Sequence, residues 1–90
     1  MPQVVITLKI MPKSPEIDLN TIETDAKKKI IDFSQTQEIK TEQEPIAFGL
    51  NALIILFAWQ EEKELEYLEN KLKNIENVNS ADVIDIRRAI

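Results

Sequence analysis

Residues 51–59 read Asn-Ala-Leu-Ile-Ile-Leu-Phe-Ala-Trp, and the reading of this stretch decides the fold. At period two, Leu53, Ile55, Phe57 and Trp59 fall on one face and Ala52, Ile54, Leu56 and Ala58 on the other, so both faces are apolar. A strand of this kind belongs at the centre of a sheet. A short buried helix has similar composition, but the β-branched and aromatic content favours the strand. The uninterrupted apolar run is far shorter than the roughly 20 residues that a membrane-crossing helix needs.

Upstream of this strand lies Pro45-Ile46-Ala47-Phe48-Gly49-Leu50, which includes the only glycine of the chain. Two readings compete for Phe48: an aromatic held at a loop tip, with Gly49 supplying backbone freedom, or a core phenylalanine flanking a hairpin. Before it, residues 34–44 are polar and nearly charge-alternating, with weak strand signals at Thr36, Ile39 and Thr41. They read as an edge strand whose charges guard it against mispairing.

Further upstream, Leu19, Ile22, Ala26, Ile30 and Phe33 recur at spacings of three and four, which predicts a helix with Asp18 as its N-cap. Ile17 and Ile22 stand at the positions of a hydrophobic staple around that cap. Glu23 with Lys27 and Asp25 with Lys29 form i,i+4 pairs in the favourable acid-first order. Lys27-Lys28-Lys29 reads as a solvated turn at the helix end that compensates its dipole. The chain starts with a strand, Val4 to Ile10, in which Val4, Ile6, Leu8 and Ile10 share a face. Met11-Pro12-Lys13-Ser14-Pro15 is then expected to be a loop, because two prolines remove donors and bias their predecessors away from the helical region.

Downstream, Glu61 to Asn74 predicts a second helix, with Leu65, Leu68, Leu72 and Ile75 as a narrow apolar stripe. Glu61, Glu62 and Glu64 stand in its first turn and Lys71 and Lys73 in its last, matching the macrodipole. Asn74, Asn77 and Asn79 supply turn chemistry, and Ala81 to Ile90 reads as the last strand. The order is thus strand, helix, strand, strand, helix, strand. It closes most economically as an α+β domain, a four-stranded antiparallel sheet with both helices on one face and the first and third strands central.

Composition narrows the chemistry. Ninety residues make one small domain, and with neither cysteine nor histidine the chain has no disulfide, thiol nucleophile, zinc finger or histidine base. A single glycine rules out a Walker loop or a GxGxxG turn. Its many carboxylates fall at expected solvated positions, where they make poor general acids, so no catalytic residue, metal site or cofactor is expected. Eleven basic against sixteen acidic residues give a net charge of −5, which argues against a phosphate-tracking nucleic-acid binder. No membrane segment or signal peptide is expected, and the absence of cysteine fits a cytoplasmic protein. The only two arginines, Arg87 and Arg88, are adjacent and close to the end of the chain. Neighbouring strand positions point to opposite faces, which predicts one structural and one exposed arginine.

The whole chain resembles the archaeal translation elongation factor 1-beta family, the counterpart of the C-terminal exchange domain of the eukaryotic factor. The resemblance rests on the Val4–Ile10 strand with Met11-Pro12 after it, on Asp18-Leu19, on the string from Glu44 to Leu50, and on Asp85-Ile86-Arg87-Arg88. It implies a ferredoxin-like βαββαβ fold and one guanine-nucleotide exchange domain over residues 1–90. The implied function is exchange of GDP for GTP on the GTPase elongation factor 1-alpha, without direct contact to nucleic acid. Phe48 corresponds to a loop aromatic that inserts into the GTPase in eukaryotic relatives, with Ile46 and Gly49 beside it. The end of the chain, Arg87, Arg88 and Ile90, corresponds to the part that approaches the Mg²⁺ and phosphates. There the sequence departs from the eukaryotic pattern, which has a lysine next to last where this chain has Ala89. A regulatory or scaffold domain of the same fold, ACT-like and ligand-binding or ribosome-associated, is the alternative reading.

Overall fold

A computed structural model describes residues 3–34, 38–60 and 63–88. Its elements follow the expected order: β1 (Gln3–Pro12), α1 (Leu19–Ser34), β2 (Ile39–Pro45), β3 (Asn51–Gln60), α2 (Leu65–Lys73) and β4 (Val78–Arg88). The strands form one antiparallel sheet in the order β2-β3-β1-β4, so β1 and β3 are the central pair. This is the ferredoxin-like α+β arrangement.

The two apolar faces of β3 explain its place. Leu53, Ile55, Phe57 and Trp59 join Val4, Ile6, Leu8 and Ile10 of β1 in the core that α1 and α2 cover. From the helices, Ile22, Ala26, Ile30, Leu68 and Leu72 reach it and are almost fully buried. Each of these isoleucine and leucine side chains contributes about 1.5–3 kcal/mol relative to an exposed one, and Ala26 about 0.8 kcal/mol. The other face of β3 is shielded too, since Ala52 and Ile54 are buried although no helix lies over them.

Several boundaries differ from the sequence expectation. β1 continues through Met11 and Pro12, because Met11 still pairs with Ser80 and Pro12 with Val78 in β4. Pro12 is tolerated as the last residue of the strand, where its missing N–H interrupts nothing further along. β4 begins at Val78, so Asn79 is a strand residue rather than part of the turn. The turn is made by Asn77, which has φ of 72° and whose carbonyl accepts the Lys13 N–H at 3.0 Å. Asn tolerates this left-handed backbone better than most residues.

Asp18 caps α1 as expected, its carboxylate accepting the Asn20 N–H at 2.9 Å. α1 runs on to Ser34 with no basic residue in its last turn, so Lys27–Lys29 lie within the helix and do not compensate its end. Lys27 instead pairs with Glu23 at 3.3 Å. α2 begins at Leu65, later than the expected Glu61, with Glu64 in the cap position but making no side-chain capping bond. Thr36, Glu61 and Glu62 lie outside the described residues. At nine residues α2 would not be stable alone; Leu68 and Leu72 hold it to the core.

Candidate functional site

The β2–β3 connection is a tight hairpin. The Leu50 N–H donates to the Ala47 carbonyl at 2.9 Å, and the two central residues between them, Phe48 and Gly49, have φ of 54° and 78°. Paired positive φ angles are the mark of a type I′ turn, whose twist suits a hairpin. Asn usually fills the first central position and Gly the second, so Phe48 is out of character there. A second bond, from the Ile46 N–H to the Leu50 carbonyl at 2.9 Å, sets Ile46 and Ala47 against Leu50. The turn is therefore pinned at its base.

The local bonding explains where the aromatic goes. Phe48 is 96% exposed and Ile46 40%, so the core reading of Phe48 is wrong and the loop-tip reading right. A left-handed non-glycine residue costs on the order of 1–3 kcal/mol, and burial of Phe48 within this chain does not offset it. Gly49 is needed for its backbone, and a Cβ there would sit 3.8 Å from that of Pro15 in the β1–α1 loop. Beside the hairpin, a polar cleft of about 230 Å³ opens between Pro12, Pro15, Asp18, Gln43 and Asn51.

The arginines are elsewhere. In the β1–β4 register Arg87 stands opposite Val5 and Arg88 opposite Val4, at the end of the sheet remote from the hairpin. The eight-residue separation of Asn51 from Trp59, the β3 neighbour of Val4, corresponds to about 26 Å along a strand. The longest dimension of the molecule is 41 Å. Phe48, Gly49 and Ile46 are thus brought together, and Arg87 and Arg88 form a second group at the opposite end. Ile90, with Ala89, lies outside the described residues.

Both arginines are exposed, which corrects the expectation that one is structural. Arg87 shares the helix-free face with Asp85 and meets its carboxylate at 2.8 Å, whereas Arg88 is on the helical face. Ile86, also on the helical face opposite Ile6, is 56% exposed, so the helices leave this end of β4 uncovered. The change of parity comes from a bulge: Thr7 pairs with Asp85 and Leu8 with Val83, leaving Ile84 as the extra residue. Sequence periodicity missed Ile84 and Ile86 as surface residues, because both look like core positions of a strand.

No group of three or more Asp or Glu residues among the described residues could hold a metal ion. No helix among them is long and apolar enough to cross a membrane. A pinned aromatic at one end and two exposed arginines at the other suit a protein that works by contact. In comparison with known proteins, residues 5–89 match the family described as EF-1 guanine nucleotide exchange domain. The chain belongs to that family. It is 37% identical over 89 residues to elongation factor 1-beta of Methanothermobacter thermautotrophicus, covering 98% of each chain. It is 39% identical over 90 residues to the factors of Saccharolobus islandicus and Saccharolobus solfataricus, covering 98% of this chain and 97% of theirs. As a member of the exchange domain family the chain is a guanine nucleotide exchange factor of translation elongation, and the ACT-like or ribosome-associated alternative is set aside.

Proposed function

We propose that residues 1–90 act as a single exchange domain that binds elongation factor 1-alpha in the cytoplasm and drives GDP out of it, with Phe48 and the arginine end as its two contacts. The single observation that carries this reading is the exposure of Phe48 on a strained, hydrogen-bonded turn. A solvated phenylalanine gains about 1.5–3 kcal/mol when an apolar pocket of a partner takes it in. The pinned turn lowers the entropy lost on docking, since the side chain is already aimed.

The chain then acts by linkage and makes or breaks no covalent bond. If it binds the nucleotide-free GTPase more tightly than the GDP-bound form, it must weaken GDP binding by the same factor. A shift of about 10⁴-fold requires roughly 5.5 kcal/mol of differential affinity. Arg87 and Arg88 supply positive charge that competes with Mg²⁺ for the phosphates, and Ile90 extends that contact. Incoming GTP reverses the coupling and expels the factor.

The test is release of labelled GDP from the matching elongation factor 1-alpha. Wild-type chain accelerates release, and Phe48→Ala and Arg88→Ala each lose most of the acceleration. Release that the wild-type chain leaves unchanged sinks the reading.

A further inference from the structure

The two proposed contacts sit at opposite ends of the sheet, and one face of that sheet carries no helix. Val5, Thr7 and Lys9 of β1 alternate with core residues, and in register beside them stand Ala58, Leu56 and Ile54 of β3. Next to these on β2 are Lys40 and Glu42, opposite Leu56 and Ile54. On the other side, β4 contributes Asp82, Asp85 and Arg87, opposite Lys9, Thr7 and Val5. The result is a floor whose accessible apolar part is Val5, Leu56 and Ala58, with Thr7 and Lys9 beside it and Ile54 buried, between two charged margins.

The floor is indented. A groove of about 440 Å³ lies over Val5, Leu56 and Ala58, with Lys40 on its wall. Arg87, Val5 and Ala58 occupy one cross-strand row, so the groove is continuous with the arginine end. With strands about 4.8 Å apart, Arg87 stands about 10 Å from Ala58 along that row. Following β3 from Ala58 back to Asn51 leads to the Phe48 hairpin.

We infer that this helix-free face is the track along which the exchange partner lies, occupied by an apolar ridge of the GTPase with basic side chains at its flanks. The inference rests on the proposed reading, in which one partner touches Phe48 and Arg87 together. Such a partner spans the length of the sheet, and α1 and α2 already occupy the opposite face. Arg87 itself projects from the helix-free face, alongside the groove. The margins choose the chemistry of the occupant, because Glu42 and Glu44 outnumber Lys40 on β2, and on β4 Asp82 is left acidic once Asp85 pairs with Arg87. An apolar centre within a charged rim is the usual anatomy of a protein interface.

The experiment measures the affinity of the full chain for the nucleotide-free GTPase, together with GDP release. Ala58→Arg fills the groove, Glu42→Lys reverses one margin, and Thr24→Arg alters the exposed side of α1 as a control. The face is the track if Ala58→Arg and Glu42→Lys each weaken binding at least tenfold while Thr24→Arg leaves it within twofold. Should Ala58→Arg lower the melting temperature, Glu42→Lys on the exposed edge strand decides alone. Wild-type affinity in Glu42→Lys overturns the inference, and if Phe48→Ala still abolishes acceleration then the exchange reading survives it. A wild-type chain without effect on GDP release overturns the exchange reading itself.

Discussion

The ammonium of Lys63 donates a 2.8 Å hydrogen bond to the carbonyl of Phe33, thirty positions earlier in the chain. It thereby ties the approach to α2 to the last turn of α1, where helix carbonyls have no partner of their own. The Lys63 carbonyl in turn accepts the Trp59 indole N–H at 3.1 Å, and the Lys63 ammonium stands 5.9 Å from the centre of that ring. Phe33 and Tyr67 close the same junction with an edge-to-face contact at 5.1 Å. Lys63 is thus the cation that compensates α1, a role that sequence spacing had given to Lys27–Lys29.

Lys63→Met keeps the apolar stem and removes the charge, and with it both the hydrogen bond to Phe33 and the contact of the ammonium with the Trp59 ring. The expected loss is about 1.5 kcal/mol, the lower end for a bond with a charged donor at a partly buried site. Urea unfolding followed by emission of Trp59, the single tryptophan, measures it directly. An unchanged midpoint would mean that water replaces the ammonium without cost.

Phe48→Asn separates stability from function. Asn accepts the left-handed conformation more readily, and an exposed phenylalanine has little packing to lose, so the fold gains about 0.5–1 kcal/mol. Acceleration of GDP release should fall in the same variant. A joint loss of both would show that Phe48 supports the chain's own fold and would count against the wedge.

Asp18→Ala removes the side-chain acceptor at the start of α1 and leaves the Asn20 N–H to water. The expected cost is about 1 kcal/mol. In a domain of this size that lowers the melting temperature by about 4–8 °C. Asp18→Asn restores most of the loss by calorimetry, since the amide oxygen also accepts.

Arg87→Ala breaks an ion pair whose arginine is 80% exposed, and such pairs add little to stability. The free energy of unfolding should fall by less than about 0.5 kcal/mol. The salt dependence of GDP-release acceleration should weaken, because an exposed charge acts mainly on encounter with a partner. A large stability loss would assign Arg87 to the fold instead.

The element order, the central place of β1 and β3, the Asp18 cap and the stripe of α2 were legible in the sequence. Each depends on periodicity or on a bond made within a few residues, and both are local properties. The string around Phe48 and the adjacent Arg87 and Arg88 stood out in the sequence, but their reading as contacts came from the family resemblance and not from periodicity. Tertiary structure alone decided that Phe48 turns to solvent, because a positive φ is fixed by how the two flanking strands twist and pair. It alone placed the arginines at the other end of the sheet, through the register of β4 on β1. The bulge at Ile84 then reversed which β4 side chains face the helices. A single inserted residue does this without leaving a trace in the alternation of apolar and polar residues, since it changes the hydrogen-bonding partner and not the sequence pattern.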